Sequence, residues 1–137
     1  VIYLDTCSAI KLAYSEPETV ELNTWLAERH GTRLISSVLM EVELERALRR
    51  NAPRALPMVS AILRRIILLE ITPEIRRMAA SYADPLLRSL DAIHLATAQT
   101  VASFPGEGLS DFVSYDKRLI SAAREAGVHV EHPGARY

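Results

Sequence analysis

Val1-Ile2-Tyr3-Leu4-Asp5-Thr6 opens the chain. Its first four residues are β-branched, aromatic or aliphatic and read as a short buried strand, and the run ends on an acid. A carboxylate in such company is costly unless its charge is compensated. Two explanations satisfy it. Asp5 is either a turn or helix-cap aspartate, a role that Thr6 and Ser8 suit as well, or a metal-binding or catalytic group at the carboxyl edge of a sheet. What else the chain delivers to that edge decides between them.

Outward from this strand, strand-like and helix-like segments alternate. Residues 17–29 read as a helix with Val20, Leu22, Trp25 and Leu26 as its apolar contacts. A short strand at 33–36 leads to Ser37, a candidate N-cap for a helix to about residue 50. A helix over 56–65 precedes the most strand-like run of all, 66–71. Thr72-Pro73-Glu74 is a strong helix start, and that helix should stop near Asp84-Pro85. Ser89 opens a helix to about residue 101, and 104–110 is a loop with two glycines and a proline. A strand at 111–114, a helix at 117–126 stopped by Gly127 and a strand at 128–131 complete the pattern. This order predicts a single α/β domain over 1–137, with a mainly parallel central sheet of about five strands flanked by helices. Ligands of such sheets collect at the carboxyl ends of strands, near a topological switch point. Asp5 and Asp116 both follow strands and share that edge.

Composition sets outer limits. A chain of 137 residues, 49% hydrophobic and 24% charged, suits one globular domain. No apolar run is long enough to cross a bilayer, and no cleavable signal pattern opens the chain. The first residue is Val rather than Met, so the true start is expected upstream. The single cysteine, Cys7, excludes an internal disulfide and fits a reducing cytoplasm. A net charge of −1 gives no overall field for nucleic acid. Arg46, Arg49, Arg50, Arg54, Arg64 and Arg65 nonetheless crowd one stretch, either as a solvated face or as an edge that tracks phosphates.

Three further acids sit in apolar company. Within Glu41-Val42-Glu43-Leu44-Glu45, a turn of about 100° per residue places Glu41 and Glu45 together near Arg49. Glu43 falls on the other side, near the sector of Met40 and Leu44, where either an ion pair with Arg46 or Arg50 or a functional role would account for it. Asp91 lies in the first turn of a helix that is apolar nearly all round and should be buried. The helix dipole favours an acid there for structural reasons alone. His94 follows one turn later, either as an Asp-x-x-His metal ligand or as a packed, hydrogen-bonded core histidine. Asp116 is a possible cap of the last long helix. Asp111 is an alternative acid, but it precedes its strand and belongs to the opposite edge.

Four carboxylates without a converging Cys or His set favour a hard divalent ion, Mg²⁺ or Mn²⁺, over zinc. Such ions activate water and stabilise charge on a phosphoryl group. Clustered acids also repel one another, which should raise at least one pKa until the ion arrives. No glycine-rich phosphate loop is present, which disfavours P-loop nucleotide hydrolysis. A phosphatase of the haloacid-dehalogenase type needs a second aspartate two residues after the first, and that position is Cys7.

With these residues in place, the chain resembles the PIN domain, and within it the VapC-type toxins of bacterial toxin–antitoxin pairs. Tyr3-Leu4-Asp5-Thr6-Cys7-Ser8-Ala9-Ile10-Lys11-Leu12 is similar to the family's first strand and following turn. Ser36-Ser37 with Glu43 and Arg46-Ala47 is similar to its second acidic motif. Arg88-Ser89-Leu90-Asp91-Ala92-Ile93-His94-Leu95-Ala96 is the most specific match, and Ser114-Tyr115-Asp116-Lys117-Arg118-Leu119 is similar to the fourth motif. The four come in order and span nearly the whole chain.

The resemblance implies a metal-dependent ribonuclease in which Asp5, Glu43, Asp91 and Asp116 hold one or two Mg²⁺ or Mn²⁺ ions around a water. That water would attack a phosphodiester and leave a 3′-hydroxyl and a 5′-phosphate. Thr6, Ser8 and Ser114 would support the acids, and Lys11, Lys117 and Arg118 are candidates for contacts with RNA phosphates. The resemblance further implies a homodimer, silenced by a cognate VapB-type antitoxin in a larger complex, acting on transfer, ribosomal or messenger RNA. Two departures stand out: Cys7 followed by Ser8 where many relatives carry serine directly after Asp-Thr, and Ser114 where threonine is frequent. Tyr115 is the one candidate for stacking on a base, with a packed tyrosine as the alternative. An RNA-processing nuclease without an antitoxin and a non-catalytic PIN-like binding module are the competing readings.

Overall fold

The computed structural model describes residues 1–106 and 108–137, so the part of the expected 104–110 loop at Glu107 lies outside the described residues. One sheet carries five strands in the order β3-β2-β1-β4-β5. They are β1 Ile2–Leu4, β2 Leu34–Ser37, β3 Ile66–Leu69, β4 Asp111–Val113 and β5 Val130–Glu131, and every pairing is parallel. From β1 the order runs outward through β2 and β3 on one side and through β4 and β5 on the other. The switch point therefore lies between β1 and β4, where crossovers diverge and a crevice opens.

Seven α-helices connect the strands among the described residues: α1 Thr6–Ala13, α2 Thr19–Ala27, α3 Met40–Asn51, α4 Val59–Arg64, α5 Pro73–Ser81, α6 Ser89–Ala102 and α7 Lys117–Glu125. Strand alternation sends Ile2 and Leu4 to one face and Val1 and Tyr3 to the other. The first face packs against Ala9, Leu22, Met40, Leu44 and Leu48, and the second against Leu95, Leu119 and Ala123. Both faces of β1 are buried, which explains its unbroken apolar run.

The eight-residue helix α1 begins directly after β1, and the Asp5 side chain caps it, so of the turn and helix-cap alternatives the cap is the one present. Three expectations need correction. Ser37 closes β2 rather than capping α3; its hydroxyl accepts the Leu39 N–H at 3.2 Å and shapes the turn between them. The first turn of α6 is less buried than its composition implies, and Leu90 is 48% exposed. The helix over 56–65 begins as a 3₁₀ segment, Pro53–Met58, with Pro57 inside it, and is α-helical only over Val59–Arg64. No described helix is long and apolar enough to cross a membrane.

Candidate active site

The four acids come from four separate places in the fold. Asp5 follows β1, Glu43 stands on the first turn of α3, Asp91 on the first turn of α6, and Asp116 precedes α7 just after β4. Three of them are held by donors from the protein. Asp5 is 3% exposed, and its Oδ1 accepts the Ser8 N–H at 2.9 Å and faces the Ser8 hydroxyl at 2.8 Å. Asp116 Oδ1 accepts the N–H groups of Arg118 at 2.9 Å and Leu119 at 3.0 Å. Glu43 Oε1 accepts from Thr6 Oγ1 at 2.8 Å and from His94 Nε2 at 2.7 Å. The cap and chemical explanations for Asp5 and Asp116 are therefore compatible: capping occupies one oxygen of a carboxylate that has two.

Asp91 is the exception. It accepts no hydrogen bond among the described residues, and its carboxyl is pushed up to about 6 by burial first, then by the charges of Asp116 and Asp5, with a smaller contribution from Glu43. That pattern puts the other three acids within electrostatic reach of Asp91 and matches the repulsion expected of clustered carboxylates. Burial also raises the Asp5 carboxyl, opposed by hydrogen bonds from the Ser114 hydroxyl and from Ser8. Glu43 goes the other way. Burial alone would raise it, but the hydrogen bond and charge of His94, with help from Thr6, bring it below the usual carboxylate range. The two acids thus differ in proton affinity: Glu43 ionises more readily than an ordinary carboxyl, whereas Asp91 gives up its proton only near pH 6. Oxygen donors that repel each other suit a hard divalent ion.

Ser114 is 0% exposed; its hydroxyl accepts the Asp116 N–H at 3.1 Å and helps to hold the Asp5 carboxyl down. Ser8 likewise keeps a hydroxyl on Asp5 despite the intervening Cys7. The thiol of Cys7 is pushed up to about 12 by burial and then by the Asp5 charge, which keeps it protonated and unreactive.

Other expectations resolve less simply. Arg46 and Arg50 are exposed and are not the partners of Glu43; Thr6 and His94 are. His94 is 1% exposed, with both ring nitrogens engaged, so it is the packed, hydrogen-bonded histidine of the two readings. Lys11 is only 7% exposed, and its ammonium is paired with Glu18 at 2.7 Å and Glu16 at 3.5 Å, with the Tyr115 ring 4.5 Å away. Of the three basic candidates, only Lys117 and Arg118 lie exposed. Tyr115 is buried and donates to the Pro133 carbonyl at 2.8 Å, a packed tyrosine rather than a platform for bases. Asp111 begins β4, at the other end from Asp116, and its partner is His129 at 3.0 Å. Asp111, His129 and Glu131 form the one group among the described residues whose three ligand atoms all approach within 4.8 Å. No three of the four acids bring their ligand atoms that close to one another.

Tyr3 was not recognised as part of this site. Its hydroxyl lies 2.7 Å from His94 Nδ1. The available signal was a tyrosine in an otherwise aliphatic strand, since a buried phenol requires a hydrogen-bond partner.

Comparison with known proteins identifies the family. The PIN domain family matches residues 2–125. The chain is 47% identical over 134 residues to Ribonuclease VapC35 of Mycobacterium tuberculosis, covering 98% of each sequence. It is 39% identical over 138 residues to Ribonuclease VapC47 of the same organism, again covering 98% of each. Among solved structures, M. tuberculosis VapC20, described as a sarcin-ricin loop cleaving toxin, superposes with a TM-score of 0.71 at 15% identity, over 89% of this chain and 95% of that one. Rickettsia felis VapBC2, bound to a DNA fragment from its promoter, gives 0.71 at 12% identity, over 97% and 99%. The chain belongs to the PIN-domain family, among its VapC-type ribonucleases.

Proposed function

We propose that this protein is a divalent-metal-dependent endoribonuclease, the toxin of a type II toxin–antitoxin pair, acting in the cytoplasm. The observation that supports the metal site is the meeting of acids distant in sequence: Asp5 and Asp116 follow the paired strands β1 and β4, Glu43 is bound to Thr6 next to Asp5, and the Asp91 carboxyl is raised in part by the charges of all three. The near-full-length identity to named VapC ribonucleases supports the substrate class. Asp5, Glu43, Asp91 and Asp116 would hold one or two Mg²⁺ or Mn²⁺ ions, which supply a polarised water and stabilise charge on a phosphodiester.

The chain's own groups do the rest. Ser8 and Ser114 fix Asp5, Thr6 and His94 fix Glu43, and the first turn of α7 fixes Asp116. Asp91, without donors of its own, has most to gain from a cation. Lys117 and Arg118, exposed beside Asp116, would meet RNA phosphates. A VapB-type antitoxin and a second copy of the chain are the proposed protein partners.

RNA cleavage with Mg²⁺ or Mn²⁺ tests this reading. Asp91→Asn should lower the rate by orders of magnitude, since it removes a ligand charge while keeping the side chain's shape. A variant that cuts as fast as the parent would overturn it.

A further inference from the structure

We infer that His94 and Tyr3 form a positioning chain that fixes Glu43 through Oε1 and presents its other oxygen, Oε2, to a divalent ion. The inference rests on the metal-nuclease reading above. It begins from a convergence: the two hydrogen bonds to Glu43 both end on Oε1, from Thr6 Oγ1 at 2.8 Å and His94 Nε2 at 2.7 Å. Oε2 has no hydrogen bond among the described residues.

Donor and acceptor roles follow from elementary chemistry. An ionised carboxylate only accepts, so His94 Nε2 carries a hydrogen whatever the charge on the ring. His94 therefore cannot offer Nε2 to a metal and acts on the site through Glu43. The opposite nitrogen, Nδ1, meets the Tyr3 hydroxyl at 2.7 Å. In the neutral ring the phenol donates to Nδ1, which selects the tautomer with hydrogen on Nε2. Tyr3 is itself immobile: it is 0% exposed, its ring lies 5.2 Å from and nearly parallel to Phe112, and it meets His94 edge-on at 5.8 Å.

The chain thus ties Glu43 on α3 to α6 and β1, the elements that also carry or lead into Asp91 and Asp5. A long glutamate side chain would otherwise sample several rotamers, and immobilising it beforehand removes that entropic cost from ion binding. Hydrogen-bond partners behind metal-ligating carboxylates typically change metal affinity or activity by about 10–100-fold when removed.

Four variants separate positioning from mere core packing. In His94→Gln the amide nitrogen falls near the position of Nε2 and can still donate to Glu43, whereas in His94→Asn it falls near Nδ1 and reaches Tyr3 instead. His94→Leu loses both bonds, and Tyr3→Phe removes only the last link. Calorimetric titration of the folded proteins with Mn²⁺ should give His94→Gln within about threefold of the parent and His94→Asn and His94→Leu about 10–100-fold weaker. Tyr3→Phe, which like His94→Gln breaks the Nδ1 link and keeps the donor to Glu43, should lose about as much as His94→Gln, up to about threefold.

A purely structural role predicts the opposite: melting temperatures fall but Mn²⁺ affinity of the folded variants is unchanged, and His94→Gln has no advantage over His94→Asn. That result overturns the inference. Should His94→Leu fail to fold, the Gln–Asn contrast decides. Long-range ¹H–¹⁵N spectra of the metal-free parent provide a readout independent of metal and RNA, with hydrogen expected on His94 Nε2; hydrogen on Nδ1 alone overturns the positioning chain even if RNA is cut. A parent that shows the expected tautomer but binds no Mn²⁺ overturns the metal-nuclease reading, and this inference with it.

Discussion

Asp91 is the carboxylate on which pH should act most visibly. Its pKa rises from 3.8 to about 6, burial first and the Asp116 and Asp5 charges next. Between those values the folded state holds a proton that the unfolded state has released, so the stability from this group is present at low pH and lost as pH rises from about 4 to about 6. Asp91→Asn removes that loss. In chelator, denaturant unfolding at about pH 5 and about pH 8 should show the variant gaining stability relative to the parent at the higher pH. Binding of a divalent ion carries the same proton, so parental Mg²⁺ affinity should fall as pH is lowered through about 6. An affinity independent of pH across that range would contradict the assignment. The requirement for an acid could be read at this position from its apolar company; the absence of any donor to it could not, because that depends on where α7 and α1 place their N–H groups.

Helix starts show two uses of one side chain. Asp116 caps α7 through Oδ1, accepting from Arg118 and Leu119, and this leaves Oδ2 for chemistry. Asparagine is as good a cap as aspartate, while alanine is not. Asp116→Asn should therefore keep thermal stability and lose RNA cleavage, whereas Asp116→Ala should lose cleavage and about 1 kcal/mol of stability as well. Equal melting temperatures for the two variants would show that the cap contributes nothing. Most elements were legible from local signals of this kind. Thr72-Pro73 marks α5 with the Thr72 hydroxyl accepting from Ile75, and Gly127, at φ 80, follows the end of α7. The miss was α1, whose eight residues are too few for a periodic pattern and whose cap looks like the end of a strand.

The assembled domain brings like charges together at its switch point, and a cation that binds there should stabilise the whole fold. Binding to the native state alone adds about 2.7 kcal/mol when the ion is present at 100 times its Kd. Mg²⁺ or Mn²⁺ should accordingly raise the melting temperature of the parent, EDTA should reverse the rise, and Asp91→Asn should show little of it. A parental melting temperature indifferent to both ions would count against the site. Read from residues in order, the chain established the β/α alternation, the parallel sheet and the four acids at strand and helix ends, because hydrophobic period, caps and turn residues act over a few positions. It left open what each acid touches. The link from Tyr3 to His94 spans 91 residues and that from His94 to Glu43 spans 51, and Lys11 was drawn away from solvent by Glu18 on the next helix approach. Such contacts arise only when helices from separate crossovers pack on one sheet, so the identity of the acids was local information, while their hydrogen bonds, their unequal pKa values and the oxygen left for an ion came from packing.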